Sequence, residues 1–153
     1  MAVGVGKKVA DFAADSTAGT IRLSSFAGRR LVLFFYPKDN TPGCTLQGSN
    51  FRDDYQAFQA AGTDVVGVSR DSLRSHEGFR ARHEFPFHLI SDPDEALCTA
   101  FAVMKTKNMY GKKVRGIERS TFLIDGDRRL LREWRGLKVP GHVEQVLEFV
   151  QSL

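Results

Sequence analysis

The stretch Leu31–Cys44 has the sequence LVLFFYPKDNTPGC and contains the strongest structural signals of this chain. Its first six residues are all apolar or aromatic, which is typical of a strand buried on both faces in a central sheet. Pro37 ends that strand, and the polar residues after it are typical of a turn. Thr41 and Pro42 then favour a helix start, with Thr41 as the N-cap and Pro42 in the first helical position. The stretch therefore predicts a strand, a turn and a helix in succession.

The rest of the chain alternates predicted strands and helices. The first helix is expected to continue as far as Gly62, a residue type that often ends helices. Strands are predicted at Asp64–Ser69 and Phe87–Ser91, and helices at 72–82, from about 92 to 101, and from Pro140 onwards. The segments STFLID and RLLREW flank a turn at 126–127 and predict a β-hairpin. This order predicts an α/β fold, with a central mixed β-sheet flanked by helices, in one domain covering residues 1–153.

Composition places the chain among soluble globular proteins. Of its 153 residues, 42% are hydrophobic and 26% are charged, which is a balance that can build a core. No apolar run approaches the roughly 20 residues that a membrane helix needs. The first twelve residues, MAVGVGKKVADF, lack the apolar core of a secretory signal, so a cytoplasmic protein without membrane contact is expected.

The positive charge of the chain is concentrated in one segment. The formal net charge is +4, and residues 103–119 hold six basic side chains against one acidic one. We interpret this segment as a solvated basic loop, which is what charge runs usually are. Nucleic-acid binding would require stacking aromatics on the basic face, and Tyr110 is the single aromatic residue there. A nucleic-acid partner is therefore not expected.

The cysteine and histidine spacing excludes several classes of site. Two cysteines are too few for a disulfide scaffold, and no CxxC motif is present, which argues against a thioredoxin-type disulfide oxidoreductase. The four histidines stand in no metal-ligand spacing. No metal or other cofactor is therefore expected, and a reactive cysteine becomes the leading hypothesis.

Cys44 falls in the first turn of the predicted helix. Free backbone N–H groups and the positive end of the helix dipole both favour an anion at that place. They would favour the thiolate, which is the nucleophilic form of cysteine. The Thr41 hydroxyl lies on the same turn and could bind a thiolate or a peroxide. These residues alone favour the simpler interpretation, a buried structural cysteine with Thr41 acting only as a cap.

A resemblance decides between these interpretations. The segment FYPKDNTPGCTLQ resembles the active-site segment of the peroxiredoxins, whose pattern is Pro, three residues, Thr, two residues, Cys. Pro37, Thr41 and Cys44 occupy the three positions. The segments RDS, FPFHLISDPD and KNMYGKKVRGIERSTFLID are similar to the bacterioferritin comigratory protein or peroxiredoxin Q group, in order along nearly the whole chain. This resemblance implies a thioredoxin-like fold.

The resemblance also implies an activity and the residues that perform it. The chain is expected to be a thiol-dependent peroxidase that reduces hydrogen peroxide and organic hydroperoxides. Cys44 would attack the peroxide and become a sulfenic acid, while Pro37 would shield the sulfur from solvent. The arginine of the family corresponds to Arg119, which with Thr41 would orient the peroxide and stabilise the thiolate. Without the resemblance, Arg119 would be taken for a surface residue at a strand edge.

Two positions depart from the family pattern. Many members of the group carry a second, resolving cysteine five residues after the first, where this chain has Ser49, or in the next helix, where it has Arg80. Cys98 remains, and its apolar neighbours favour a buried core position. We therefore expect a monomeric one-cysteine enzyme that an external thiol reduces: thioredoxin, glutaredoxin or glutathione. The alternative is a non-enzymatic peroxide sensor or holdase that uses the same cysteine.

Overall fold

The structure is a computed structural model that describes residues 3–153. Within that range the strands are β1 (Ala13–Ser16), β2 (Gly19–Arg22), β3 (Arg30–Phe35), β4 (Thr63–Ser69), β5 (His88–Ser91), β6 (Met104–Met109), β7 (Lys112–Ile117), β8 (Ser120–Ile124) and β9 (Leu130–Arg135). The helices are α1 (Pro42–Asp53), α2 (Tyr55–Ala60), α3 (Leu73–Arg82), α4 (Ala96–Ala100) and α5 (His142–Gln151). A short 3-10 turn spans Leu23–Phe26.

Seven of the strands form one mixed sheet in the order β2-β1-β5-β4-β3-β8-β9. The three central strands β3, β4 and β5 are parallel, and the flanking strands pair antiparallel. Helices connect the parallel strands, as crossover connections require. The predicted α/β fold with a central mixed sheet flanked by helices is confirmed.

The sheet is buried on both faces, and β3 shows this most directly. Its residues Leu31, Leu33 and Phe35 belong to one apolar core, which also contains α4 and the ends of β6 and β7. The alternate residues Val32 and Phe34 belong to a second core, which α1, α2, α3 and α5 cover. Side chains alternate between the faces of a strand, so these cores lie on opposite faces of the sheet. This explains why the segment is apolar without interruption.

The two cysteines lie in different cores. Cys44 packs in the core that contains Phe34, whereas Cys98 packs in the core that contains Phe35. The central sheet therefore separates them. Both are free and buried in the described structure.

The helix predicted from Pro42 to Gly62 is interrupted, so that prediction is wrong in one detail. Asp54 ends α1 with φ −99° and ψ 6°, and α2 begins at the next residue. Asp53 and Asp54 place two acidic side chains at the negative end of the α1 dipole, which disfavours continuation of the helix. Phe51 and Phe58 nevertheless reach the same core, with ring centroids 5.7 Å apart.

The interpretation of residues 103–119 as a loop is also wrong. β6 and β7 form an antiparallel hairpin whose last pair is Met109 and Lys112. Tyr110 and Gly111 adopt φ 54° and 78°, as a tight two-residue hairpin turn requires. Lysine is unfavourable in strands, so the lysine-rich composition concealed the pairing.

Several element boundaries differ from the prediction by a few residues. α4 begins at Ala96 rather than near Asp92, and α5 begins at His142 after Gly141, which has φ 80°. The paired strands β1 and β2 have no counterpart among the predicted elements. In the described range, no helix has both the length and the apolar character that crossing a bilayer demands.

Gly48 allows α1 to pack closely on the aromatic core, which generates a stability prediction. A Cβ atom at this position would come within 3.0 Å of three atoms of the Phe85 ring. Gly48→Ala should therefore lower the free energy of unfolding by about 1–3 kcal/mol, as overpacking does. Urea unfolding measures this change.

Gly78→Ala is the matched control, since Gly78 is also inside a helix but a Cβ there meets nothing within 4 Å. It should raise stability by up to about 1 kcal/mol, because alanine favours the helix. Equal effects of the two substitutions would contradict the proposed packing.

Candidate active site

Strand pairing brings two distant parts of the chain together at one end of β3. β8 runs antiparallel to β3, and Ser120 pairs with Phe35, the last residue of β3. Arg119 precedes Ser120, so it lies where β3 ends and the loop towards α1 begins. The pairing therefore places Arg119 beside the segment that contains Cys44.

The helix start predicted at Thr41 is confirmed, although its hydroxyl does not cap the helix. Thr41 is the N-cap with an extended backbone, Pro42 is the first helical residue, and the Thr41 carbonyl accepts from Thr45 N–H at 2.9 Å. The Thr41 hydroxyl instead donates to the Lys38 carbonyl at 2.8 Å. Because no side chain caps α1, the first-turn N–H groups are left for another partner.

Cys44 is the third helical residue of α1 and is 2% exposed. Arg119 Nη2 lies 3.4 Å from its sulfur, in hydrogen-bond geometry. A guanidinium at this distance can donate hydrogen bonds to negative charge that develops on the sulfur or on a bound peroxide. Gly43 contributes to this approach, because a Cβ atom there would lie 3.1 Å from Arg119 Nη2. The structure thus brings Cys44 and Arg119 together.

Gln47 is a member of this site that the sequence analysis missed. It lies one helical turn after Cys44, is fully buried, and accepts a hydrogen bond from Arg119 Nη1 at 2.7 Å. Its amide Nε2 is buried without a hydrogen-bond partner in the described structure. The guanidinium thus bridges Gln47 and Cys44, which fixes its orientation. The spacing of three residues from Cys44 is the signal that could have identified Gln47.

Pro37 lies directly after Tyr36 at the end of the apolar stretch, and its side chain is exposed. Pro37 and Thr41 therefore lie on the connection between β3 and α1, and Cys44 follows in the first turn of α1. Among the four predicted site residues, Cys44 and Arg119 are the pair that a hydrogen bond joins. The roles assigned to Pro37 and Thr41 stay predictions.

His142 lies near the guanidinium and is mostly buried. Burial, with the charge of Arg119 as a smaller cause, lowers the pKa of His142 to about 4. Its Nε2 is 2.8 Å from the Thr121 hydroxyl. His142 is therefore neutral at neutral pH and adds no positive charge to the site.

The structure also describes the surroundings of Cys98 and of the two positions, Ser49 and Arg80, where related proteins carry a resolving cysteine. Burial raises the pKa of the Cys98 thiol, which disfavours its reactive thiolate form. Its backbone N–H donates to Asp92 at 2.8 Å, which ties the residue to the start of α4. Arg80 donates through Nε to the Phe87 carbonyl at 2.9 Å, and Ser49 is half-buried on α1.

One group of potential metal ligands exists among residues 3–153. Asp39, Asp71 and His76 place one ligand atom each within 4.8 Å of one another. His76 Nδ1 lies 2.7 Å from an Asp39 carboxylate oxygen, which is a hydrogen-bond distance. The atoms that would bind an ion therefore bind each other, and the arrangement does not favour a metal.

Comparisons with known proteins show the family of the chain. Residues 5–132 match the AhpC/TSA family. The peroxiredoxin Bcp of Xanthomonas campestris is 54% identical over 130 residues, which are 85% of this chain and 81% of that protein.

Two solved structures are similar throughout. The Xylella fastidiosa peroxiredoxin Q has a TM-score of 0.94 and 41% identity, covering 99% of this chain and 98% of the other. The X. campestris bacterioferritin comigratory protein has a TM-score of 0.88 and 47% identity, covering 92% and 90%. Because the family match, the identities and the fold all agree, the chain belongs to the AhpC/TSA family as a peroxiredoxin, a thiol-dependent peroxidase of the bacterioferritin comigratory protein and peroxiredoxin Q group.

Proposed function

We propose that this peroxiredoxin reduces hydrogen peroxide and organic hydroperoxides through Cys44, as a one-cysteine enzyme that an external thiol regenerates. The observation that carries the proposal is the 3.4 Å contact between Arg119 Nη2 and the Cys44 sulfur in the first turn of α1. The related X. campestris protein is described by its alkyl peroxide reduction activity, which supports hydroperoxides as substrates.

In the first step, the Cys44 thiolate attacks the terminal oxygen of the peroxide. The S–O bond forms while the O–O bond breaks, and the leaving oxygen takes a proton to become water or an alcohol. Free N–H groups of the first turn and Arg119 stabilise the negative charge that moves onto the oxygens. The Thr41 hydroxyl donates its hydrogen bond to the Lys38 carbonyl, so its oxygen is free to accept a hydrogen bond from the O–H of the peroxide. Pro37 covers the sulfur from the solvent side.

In the second step, an external thiol attacks the Cys44 sulfenic acid and forms a mixed disulfide with release of water. A second thiol then breaks that disulfide and restores Cys44. Thioredoxin, glutaredoxin and glutathione are the candidate donors. The separation of Cys44 and Cys98 into different cores supports an external donor, because a disulfide needs Cα atoms within about 7 Å.

The proposal places the enzyme in the cytoplasm as a monomeric single domain that acts without nucleic acid or membrane. The two free cysteines support a reducing compartment, where thiols persist. Size-exclusion chromatography of the reduced protein checks the monomeric state.

Cys44→Ser should abolish peroxide reduction, because a serine hydroxyl has nearly the same size but stays protonated. The measurement is consumption of tert-butyl hydroperoxide with excess dithiothreitol over many turnovers. Cys98→Ser is the matched control and should turn over like the wild type. Turnover by Cys44→Ser would contradict the assignment. If the wild-type protein consumes one equivalent of peroxide and then stops despite excess dithiothreitol, the result would instead support the non-enzymatic peroxide sensor.

Arg119→Met should slow the reaction of Cys44 with peroxide by about 10²-fold, as the loss of a charge-stabilising donor does in other enzymes. Gln47→Leu should slow it less, because the guanidinium stays but loses its 2.7 Å partner. Stopped-flow measurement of the second-order rate constant checks both. Arg74→Met, on the exposed surface of α3, is the control and should change nothing. A normal rate for Arg119→Met would place that residue outside the mechanism.

Excess peroxide should drive Cys44 to the sulfinic acid, because no second thiol in its own core can trap the sulfenic acid first. Mass spectrometry of the Cys44 peptide after stepwise addition of peroxide measures this outcome, with and without thioredoxin present. The same oxidation should occur in Cys98→Ser. A Cys44–Cys98 disulfide in non-reducing peptide maps, lost together with activity in Cys98→Ser, would show that the enzyme is not of the one-cysteine type.

A further inference from the structure

The loop between β3 and α1 is anchored by one buried carboxylate. Asp39 is 4% exposed, although both of its neighbours are exposed. Its backbone N–H donates to Asp71 Oδ2 at 2.9 Å. Its side chain accepts from the Tyr36 hydroxyl at 2.7 Å and from the Ser75 hydroxyl at 2.8 Å. Asp39 therefore joins the loop to β3, to α3 and to the segment after β4.

His76, on α3, completes this network and is fully buried. Its Nε2 lies 2.9 Å from the Ile90 carbonyl, which can only accept, so Nε2 carries a proton. Its Nδ1 lies 2.7 Å from Asp39 Oδ2. The Asp39 carboxylate already accepts from the Tyr36 and Ser75 hydroxyls. Nδ1 therefore also faces an acceptor, and the ring carries two protons.

The charges around the ring support this assignment. Asp71 is a second carboxylate of the cluster, and it accepts from the Ser69 hydroxyl at 2.5 Å as well as from the Asp39 N–H. Burial, with Asp39 as a further cause, raises the pKa of Tyr36, so its hydroxyl stays protonated and donates. A buried carboxylate is stabilised by a nearby cation, and His76 is the basic side chain within hydrogen-bond distance of Asp39.

We propose that His76 is a positioning residue, which as an imidazolium paired with Asp39 holds the loop that sets Thr41 and Cys44 in place. The inference rests on the proposed function of Cys44 and extends it to residues that touch neither the sulfur nor Arg119. The pair ties the loop to β5 through Ile90 and to the first turns of α3. A loop held from three elements keeps the start of α1, and with it the sulfur, in a fixed position relative to Arg119.

The first test is spectroscopic and does not depend on activity. Nitrogen-15 NMR of the histidine rings at neutral pH should show His76 with both ring nitrogens protonated. In Asp39→Asn the new amide can donate to Nδ1, so the His76 ring should become neutral while the fold persists. An unprotonated Nδ1 in the wild type, or an unchanged ring in Asp39→Asn, would overturn the proposal.

The second test measures the second-order rate constant of reduced Cys44 with tert-butyl hydroperoxide. His76→Leu leaves the Asp39 carboxylate buried without its cation and should slow the reaction about tenfold or more, because the loop loses its fixed position. The double variant Asp39→Asn, His76→Leu removes the isolated charge but also lacks the pair, so it should stay about as slow as His76→Leu. His83→Leu, on the residue that follows α3, is the control and should react at the wild-type rate.

A His76→Leu rate equal to that of the wild type, or a double variant that recovers the wild-type rate, would overturn the positioning role. Where His76→Leu does not fold, His76→Gln replaces it with the same expected loss. Absence of a reaction between Cys44 of the wild type and the peroxide would overturn the proposed function. In that case the nitrogen-15 spectrum of His76 would still show whether the ion pair with Asp39 exists.

Discussion

The pairing of β3 with β8 is the constraint on which the site depends. β3 is apolar on both faces, which favours a place in the middle of the sheet, and its antiparallel partner β8 begins opposite the residue where β3 ends. That register alone brings Arg119 from late in the chain to the sulfur of Cys44. A shift of one residue between the two strands would turn every side chain of β8 to the opposite face and would carry Arg119 away. The position of Arg119 beside Cys44 therefore depends on the packing of Leu31–Phe35, residues that are not expected to contact the peroxide.

The parts of the fold that sequence predicted are those with strong local signals. The apolar run of β3, the Thr41–Pro42 helix start and the turn at 126–127 each depend on neighbours in sequence. Cys44 could be assigned because its helix position and the peroxiredoxin pattern agreed. Arg119 could be assigned only by resemblance, because strand pairing 75 residues later in the chain creates the contact.

The features that sequence did not predict depend on long-range contacts or on unusual composition. Gln47 appears as an ordinary polar helix residue until the fold shows Arg119 beside it. In the sequence Asp39 is typical of a turn and His76 of a helix. The two residues are 37 positions apart, yet their side chains contact each other in a buried network. The β6–β7 hairpin was missed because lysine-rich strands have little intrinsic preference for the conformation. In each case the deciding free energy comes from groups that are distant in sequence.

Among residues 3–153 the β6–β7 hairpin joins no other strand, so its outer edges present backbone donors and acceptors without partners in a ladder. Such edges invite strand addition from other chains and are a common origin of aggregation. Lysines are frequent guards of exposed edges, and here Lys105, Lys107, Lys112 and Lys113 stand along both strands. Their mutual repulsion between copies opposes edge-to-edge stacking at high protein concentration. The positive charge of this segment thereby favours colloidal stability, which is a property separate from catalysis at Cys44.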